Sequence, residues 1–168
     1  MKKTYSVTRL ALIFALCIIL NFLESAYLIF PSFPGVKLGL SNIPVMFSLI
    51  CLGAPSALSV SFAKSLFVLI TRGVSAGILS ITGGLLSIGV MWCILKLTKK
   101  TASLSATGIS GALAHNIGQL CASALLWKST SVFTLFPILA VSACIFGVLN
   151  ALLLHTVMPY LNKIGAKK

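Results

Sequence analysis

The chain contains no aspartate and a single glutamate, Glu24, against thirteen Lys and Arg. Charged residues make up 8% of its 168 positions, hydrophobic ones 58%, and the mean hydropathy is +1.10. A soluble domain needs mixed charge over its surface, so this balance excludes one. A bilayer protein needs charge at its flanks and wherever an internal polar site justifies the expense, which is the pattern here. The five cysteines, Cys17, Cys51, Cys93, Cys121 and Cys144, fall about one per apolar segment with no Cys-x-x-Cys pair and no His or acid at ligand spacing. They read as small apolar fillers, and no metal or other cofactor is expected. No P-loop is present: the Gly-rich stretch Ser80, Thr82, Gly83, Gly84, Ser87 has no Lys at Walker spacing and follows no strand, so close helix packing accounts for it.

What the chain does have is length in apolar runs. These span roughly 6 to 28, 39 to 53, 56 to 72, 76 to 96, 104 to 127 and 132 to 158, and about 20 residues cross the hydrocarbon core as a helix. The expected fold is an all-α, polytopic six-transmembrane-helix bundle in one domain, 1 to 168, with two short spans. Basic residues gather in three clusters: Lys2, Lys3 and Arg9; Lys96, Lys99 and Lys100; Lys163, Lys167 and Lys168. With an even number of spans all three lie on one face, and the positive-inside rule makes that face cytoplasmic, leaving Lys37, Arg72 and Lys128 outside. Net +12 thus reports topology rather than nucleic-acid binding. Lys2 and Lys3 before an apolar run resemble a signal peptide, but no small-x-small cleavage site follows, so residues 1 to 28 are kept in the mature protein. The expected location is the bacterial cytoplasmic membrane, multi-pass, with both termini inside.

Polar residues within the apolar runs mark where chemistry could sit. The stretch Phe30 to Asn42 carries Pro31, Pro34, Gly35 and Gly39, which resist continuous helix. It reads either as a solvated connection or as a lid-like loop, residues 31 to 37, with Lys37 and Asn42 aimed at a ligand. Lys64 lies nine residues beyond Pro55, near mid-membrane at 1.5 Å per residue. It is either a Lys that snorkels outward or loses its proton, or an inward cation, and Arg72 two turns on could line the same wall. Glu24 is the one carboxylate open to these cations. A cavity holding Lys37, Lys64 and Arg72 against Glu24 favours an anionic small molecule. In the fifth run His115, Asn116 and Gln119 cluster at mid-depth, as interhelical glue or as hydrogen-bonding partners of a polar ligand; Asn150 and His155 are weaker candidates. Ala11 and Ala15 form a smooth face at the inner end of the first run, suited to ordinary packing or to docking another membrane protein.

Taken together, Glu24-Ser25, the run Pro34 to Ile43 (PGVKLGLSNI), Gly83 to Ser87 (GGLLS) and Gly111 to Gln119 (GALAHNIGQ) resemble the Gx transporter family, labelled heptaprenyl diphosphate synthase component I. That family is in turn similar to the substrate-binding S components of energy-coupling-factor vitamin transporters. The resemblance implies six helices, a lid between the first two, and an Ala-x-x-x-Ala face, here Ala11 and Ala15, that meets a transmembrane coupling protein served by ATPase subunits. It implies a substrate-binding role, for which the charge pattern offers the outer cavity residues named above. Prenyl chain elongation holds Mg²⁺ on diphosphates through Asp-rich clusters, and a chain without Asp cannot supply them, so no enzymatic role is expected. The different-class alternatives are a non-catalytic membrane component associated with heptaprenyl diphosphate synthesis, and a purely structural subunit. The charge clusters give a direct check of orientation. In a background freed of native cysteines, Phe33→Cys and Ser129→Cys are expected to react with an impermeant thiol reagent added outside, and Lys99→Cys and Gly165→Cys are not.

Overall fold

A computed structural model describes the backbone of residues 2–27, 39–99 and 101–166, and the side chains of 7–24, 39–99 and 101–159. Among these residues the fold is all-helical: α1 (Lys2–Tyr27), α2 (Asn42–Cys51), α3 (Ala54–Arg72), α4 (Val74–Leu97), α5 (Leu104–Trp127), a 3₁₀ turn (Thr130–Leu135) and α6 (Phe136–Ala166). The expected 31 to 37 loop and Lys37 lie outside the described residues.

Helix ends follow local chemistry. Gly53 sits at φ +93°, a left-handed value that Gly adopts without steric cost, and Pro55 presets the first turn of α3. Ser103 caps α5 by accepting the Ala106 N–H at 3.1 Å, which satisfies one of the orphan donors of the first turn. The expected run 132 to 158 divides, because Ser129 caps a 3₁₀ turn and Pro137 suits the start of the helix that follows.

Four stretches are long and apolar enough to cross a membrane: Val7–Glu24, Ala54–Arg72, Val74–Leu97 and Thr130–Pro159. The protein is therefore a membrane protein with transmembrane helices. The fifth run has the length, 24 residues in α5, but His115, Asn116 and Gln119 interrupt its apolar character. The second falls short. At 10 residues α2 spans about 15 Å, half of a hydrocarbon core.

Helices α3, α4, α5 and α6 pack in chain order, α1 lies on α3, and α2 fills the space bounded by α1, α3 and α6. Pro44 to Leu49 are all buried, so α2 is enclosed nearly all round. Val45, Met46, Phe47 and Leu49 form a core with Ile13 and Cys17 of α1, Ala57 and Val60 of α3, Ile88 and Met91 of α4, and Leu154 of α6. Lipid-facing positions such as Phe22, Phe62, Ile70, Leu85 and Leu125 are exposed and apolar. At one end of α4 the Lys96 ammonium lies 4.8 Å from the centre of the Trp92 ring, a cation–π contact of the kind found at membrane boundaries.

Because lipid is as apolar as Leu, these helices are held by close contact rather than by exclusion of water. Gly118 of α5 meets Gly83 of α4 so closely that an added Cβ would lie 2.9 Å from the Gly83 Cα and 2.9 Å from the Thr82 carbonyl oxygen. Gly108 and Gly147 bring α5 and α6 together in the same way. Gly118→Leu must push backbone against backbone. It is expected to destabilise the purified protein by about 1–3 kcal/mol or more, read as a lower midpoint in denaturant titration.

Candidate functional site

The site is built where α2 begins. Since α2 is antiparallel to α3 and joined to it by a tight turn, its first residue, Asn42, lies level with the middle of α3, not with its end. The chain reaches that depth as a turn, Gly39 to Asn42, in which the Asn42 N–H donates to the Gly39 carbonyl at 2.9 Å and the Ile43 N–H to that of Leu40 at 3.1 Å. Gly39 stands at φ +71°, where a side chain would be strained, and its Cα is crowded by amide groups: an added Cβ would lie 3.4 Å from Asn150 Nδ2 and 3.6 Å from Asn42 Nδ2.

Three helices hold this turn. From α1, the Glu24 carboxylate accepts the Gly39 N–H at 2.5 Å, and the Cys17 thiol donates to the Ser41 carbonyl at 3.1 Å. From α3, the Lys64 ammonium donates to Asn42 Oδ1 at 2.7 Å. From α6, Asn150 Nδ2 donates to the Gly39 carbonyl at 3.4 Å. Glu24 and Lys64 are 5% and 3% exposed, so opposite charges sit inside the bundle on either side of one turn. Each takes a neutral group of that turn as its hydrogen-bond partner. Helical spacing explains the alignment on α1, where Ile13, Cys17, Asn21 and Glu24 recur every three or four residues on the buried face.

Arg72 is placed differently. It is exposed at the end of α3 and reaches the carbonyl and side-chain oxygens of Asn21, each at 3.5 Å. Of the expected positive surplus, the buried part among the described residues is Lys64, with Glu24 also buried, while Arg72 stands at the rim. Lys64 is not a snorkelling lysine: its ammonium is bonded to Asn42 in the interior.

The expected cluster on α5 does not converge. Adjacent helical residues point about 100° apart. The His115 ring and carbonyl lie against Gly83 of α4, where an added Cβ would come within 2.9 Å of both, while Asn116 Nδ2 donates to the Leu139 carbonyl of α6 at 2.9 Å. Asn116 thus joins two helices, and Gln119 is partly buried one turn along from His115. Helix α4 stands between α5 and the α3 face that carries Lys64. Between α3 and α4 the buried Ser65 and Ser80 hydroxyls hydrogen-bond at 3.0 Å. Ala11 and Ala15 are both exposed on α1.

Sequence reading missed Asn21 and the backbone of Gly39 to Ser41. The signal for Asn21 was available, since it is a polar residue one helical turn before Glu24 in an apolar run. The grip on backbone groups had no sequence signal, because every chain carries them.

The profile of one family, heptaprenyl diphosphate synthase component I, matches residues 13–157. The chain belongs to that family. It is the one whose motifs, read as those of the Gx transporter family, were recognised in the sequence, and its members are described as one component of an assembly. The match takes in every residue of the turn and its holders, from Cys17 to Asn150. No curated protein and no solved structure matches the chain.

The hydrogen bond from Gly39 to a buried carboxylate sets an expectation for Glu24. Glu24→Leu removes the acceptor and leaves a backbone donor unsatisfied, with a loss of about 1.5–3 kcal/mol in stability, whereas Glu24→Gln keeps an acceptor oxygen and loses less. Thermal unfolding of the two purified variants side by side checks the order.

Proposed function

We propose that this protein is the substrate-binding membrane subunit of an importer of the energy-coupling-factor type, serving a small anionic compound such as a vitamin, a cofactor precursor or an isoprenoid-related acid. The observation that carries the reading is the polar site itself: a helix that stops halfway across an apolar bundle, with buried Lys64 and Glu24 at its tip. Ionisable groups in membrane interiors are expensive and as a rule mark substrate or ion pathways, and half-helix ends at mid-membrane are recurrent substrate sites in transporters. Arg72 at the rim adds the positive potential that draws an anion towards Lys64.

In this reading both termini and the Lys96–Lys99 end are cytoplasmic, by the excess of Lys and Arg there, and the site opens to the opposite side. Six helices then cross or enter the membrane, with α2 as the partial one. The chain carries no P-loop and no Asp, so it neither hydrolyses ATP nor elongates prenyl chains by itself. The energy comes from an ATPase pair acting through a transmembrane coupling protein. That partner docks on the α1 face bearing Ala11 and Ala15, whose small exposed side chains let another helix approach closely. Glu24 is thirteen residues beyond Ala11 and nine beyond Ala15 along α1, about 14–20 Å away, so docking and binding use separate regions.

The family's description favours a second reading, a non-catalytic membrane component beside a prenyl diphosphate synthase that does carry the Asp clusters. Co-purification distinguishes them. With Ala11→Leu and Ala15→Leu together, the protein is expected to fold and to lose its coupling protein and ATPase subunits on affinity purification from its own membranes, with transport abolished. Retention of those partners and of transport by the double variant removes the support for this docking face. Recovery of an Asp-rich synthase instead of an ATPase establishes the second reading.

A further inference from the structure

Resting on the binding-subunit reading, one contact at the site names its ligand's recognition group and the residue that competes with it. Among the described residues, the Lys64 ammonium uses one of its three N–H donors, on the side-chain oxygen of Asn42 at 2.7 Å. A 3% exposed cation in the middle of a membrane helix is therefore held by a neutral amide, although a carboxylate, Glu24, holds the same turn. Glu24 is committed elsewhere, to the Gly39 N–H at 2.5 Å. An amide oxygen carries no net charge and is a weaker acceptor for an ammonium than an oxyanion, and the low dielectric of the interior widens the gap.

We propose that Asn42 occupies the place on Lys64 that the acid group of the ligand takes, so that Asn42 is an internal competitor and the ligand is recognised through a carboxylate or phosphate oxygen. The turn is built to let the exchange happen. Its backbone is held independently of the Asn42 side chain, by Glu24 on the Gly39 N–H and by the Asn42 and Ile43 N–H groups on the Gly39 and Leu40 carbonyls. Swinging the amide aside breaks the Lys64 contact and leaves those bonds intact. Asn42 is also the first residue of α2 and is only partly buried, unlike Pro44 to Leu49. The arrangement makes affinity a difference between two acceptors. A neutral analogue lacking the acid group has nothing to offer Lys64 that Asn42 does not already supply.

The test measures thermal unfolding of the purified full chain in non-ionic detergent with sodium octanoate, with sodium phosphate, and with sodium chloride at matched ionic strength. At least one of the two oxyanions is expected to raise the Tm of the native protein above the chloride baseline, and which one does so distinguishes a carboxylate from a phosphate ligand. Asn42→Ala removes the competitor and is expected to lower the half-saturating concentration of that anion roughly ten-fold, the equivalent of one hydrogen bond to a charged group. Asn42→Asp supplies an internal carboxylate and is expected to abolish the response, as is Lys64→Met. A native protein and an Asn42→Ala variant that respond to neither oxyanion overturn the proposal, and so does an Asn42→Asp variant that responds as the native protein does. Should Lys64→Met fail to fold, the opposite effects of Ala and Asp at position 42 decide the matter alone. The outcome is separable from the importer reading: a correct ranking at position 42 with no ATPase partner leaves competition standing and removes import, and an ATPase partner with no such ranking does the reverse.

Discussion

The structure depends on a polypeptide that begins a helix in the middle of an apolar layer. A helix end exposes backbone groups without partners, and in hydrocarbon no water is available to satisfy them. The Gly39 to Asn42 turn is therefore tolerable only where the protein supplies the missing solvent. Glu24 and Cys17 of α1 and Asn150 of α6 do so for its backbone at distances of 2.5 to 3.4 Å, and Lys64 of α3 holds the Asn42 side chain at 2.7 Å. Those bonds tie α1, α3 and α6 to α2, which would otherwise be a single apolar plug in the core.

The same constraint explains why the charges sit where they do. One acidic residue in 168 is placed on the buried face of α1, against a backbone donor, and one lysine is placed opposite it on α3. Buried ions of opposite sign usually pair directly, because low dielectric rewards contact. Here each is spent on a neutral group of the turn. Under the proposed competition, stability and ligand affinity would draw on the same side chains. The small-residue contacts between α4, α5 and α6 supply the rigidity elsewhere, so that movement at the turn need not loosen the bundle.

Much of this was legible in the order of residues. Long apolar runs broken by basic clusters specify a helical membrane protein, and the motifs around Pro34 to Ile43 and Gly111 to Gln119 specify the family. Lys64 and Asn42, separated by 22 positions, were both marked as site residues because polar groups in apolar surroundings are costly, and they meet at 2.7 Å. His115 and Asn116 were marked for the same reason and meet different helices, because consecutive positions on a helix face different neighbours. Asn116 spends its amide on Leu139, and periodicity cannot tell a partner helix from a ligand.

The sequence by itself determined what the chain must live in and that its apolar runs form helices, since hydropathy and the distribution of charge depend on composition along the chain and not on contacts. Only the tertiary structure decided that the second helix stops halfway, that Glu24 serves a backbone N–H instead of a cation, and that Arg72 stays at the rim while Lys64 is enclosed. The physical reason is that these outcomes rest on the depth at which one helix lies against another, and depth is set by side chains packing across distances that no local pattern encodes.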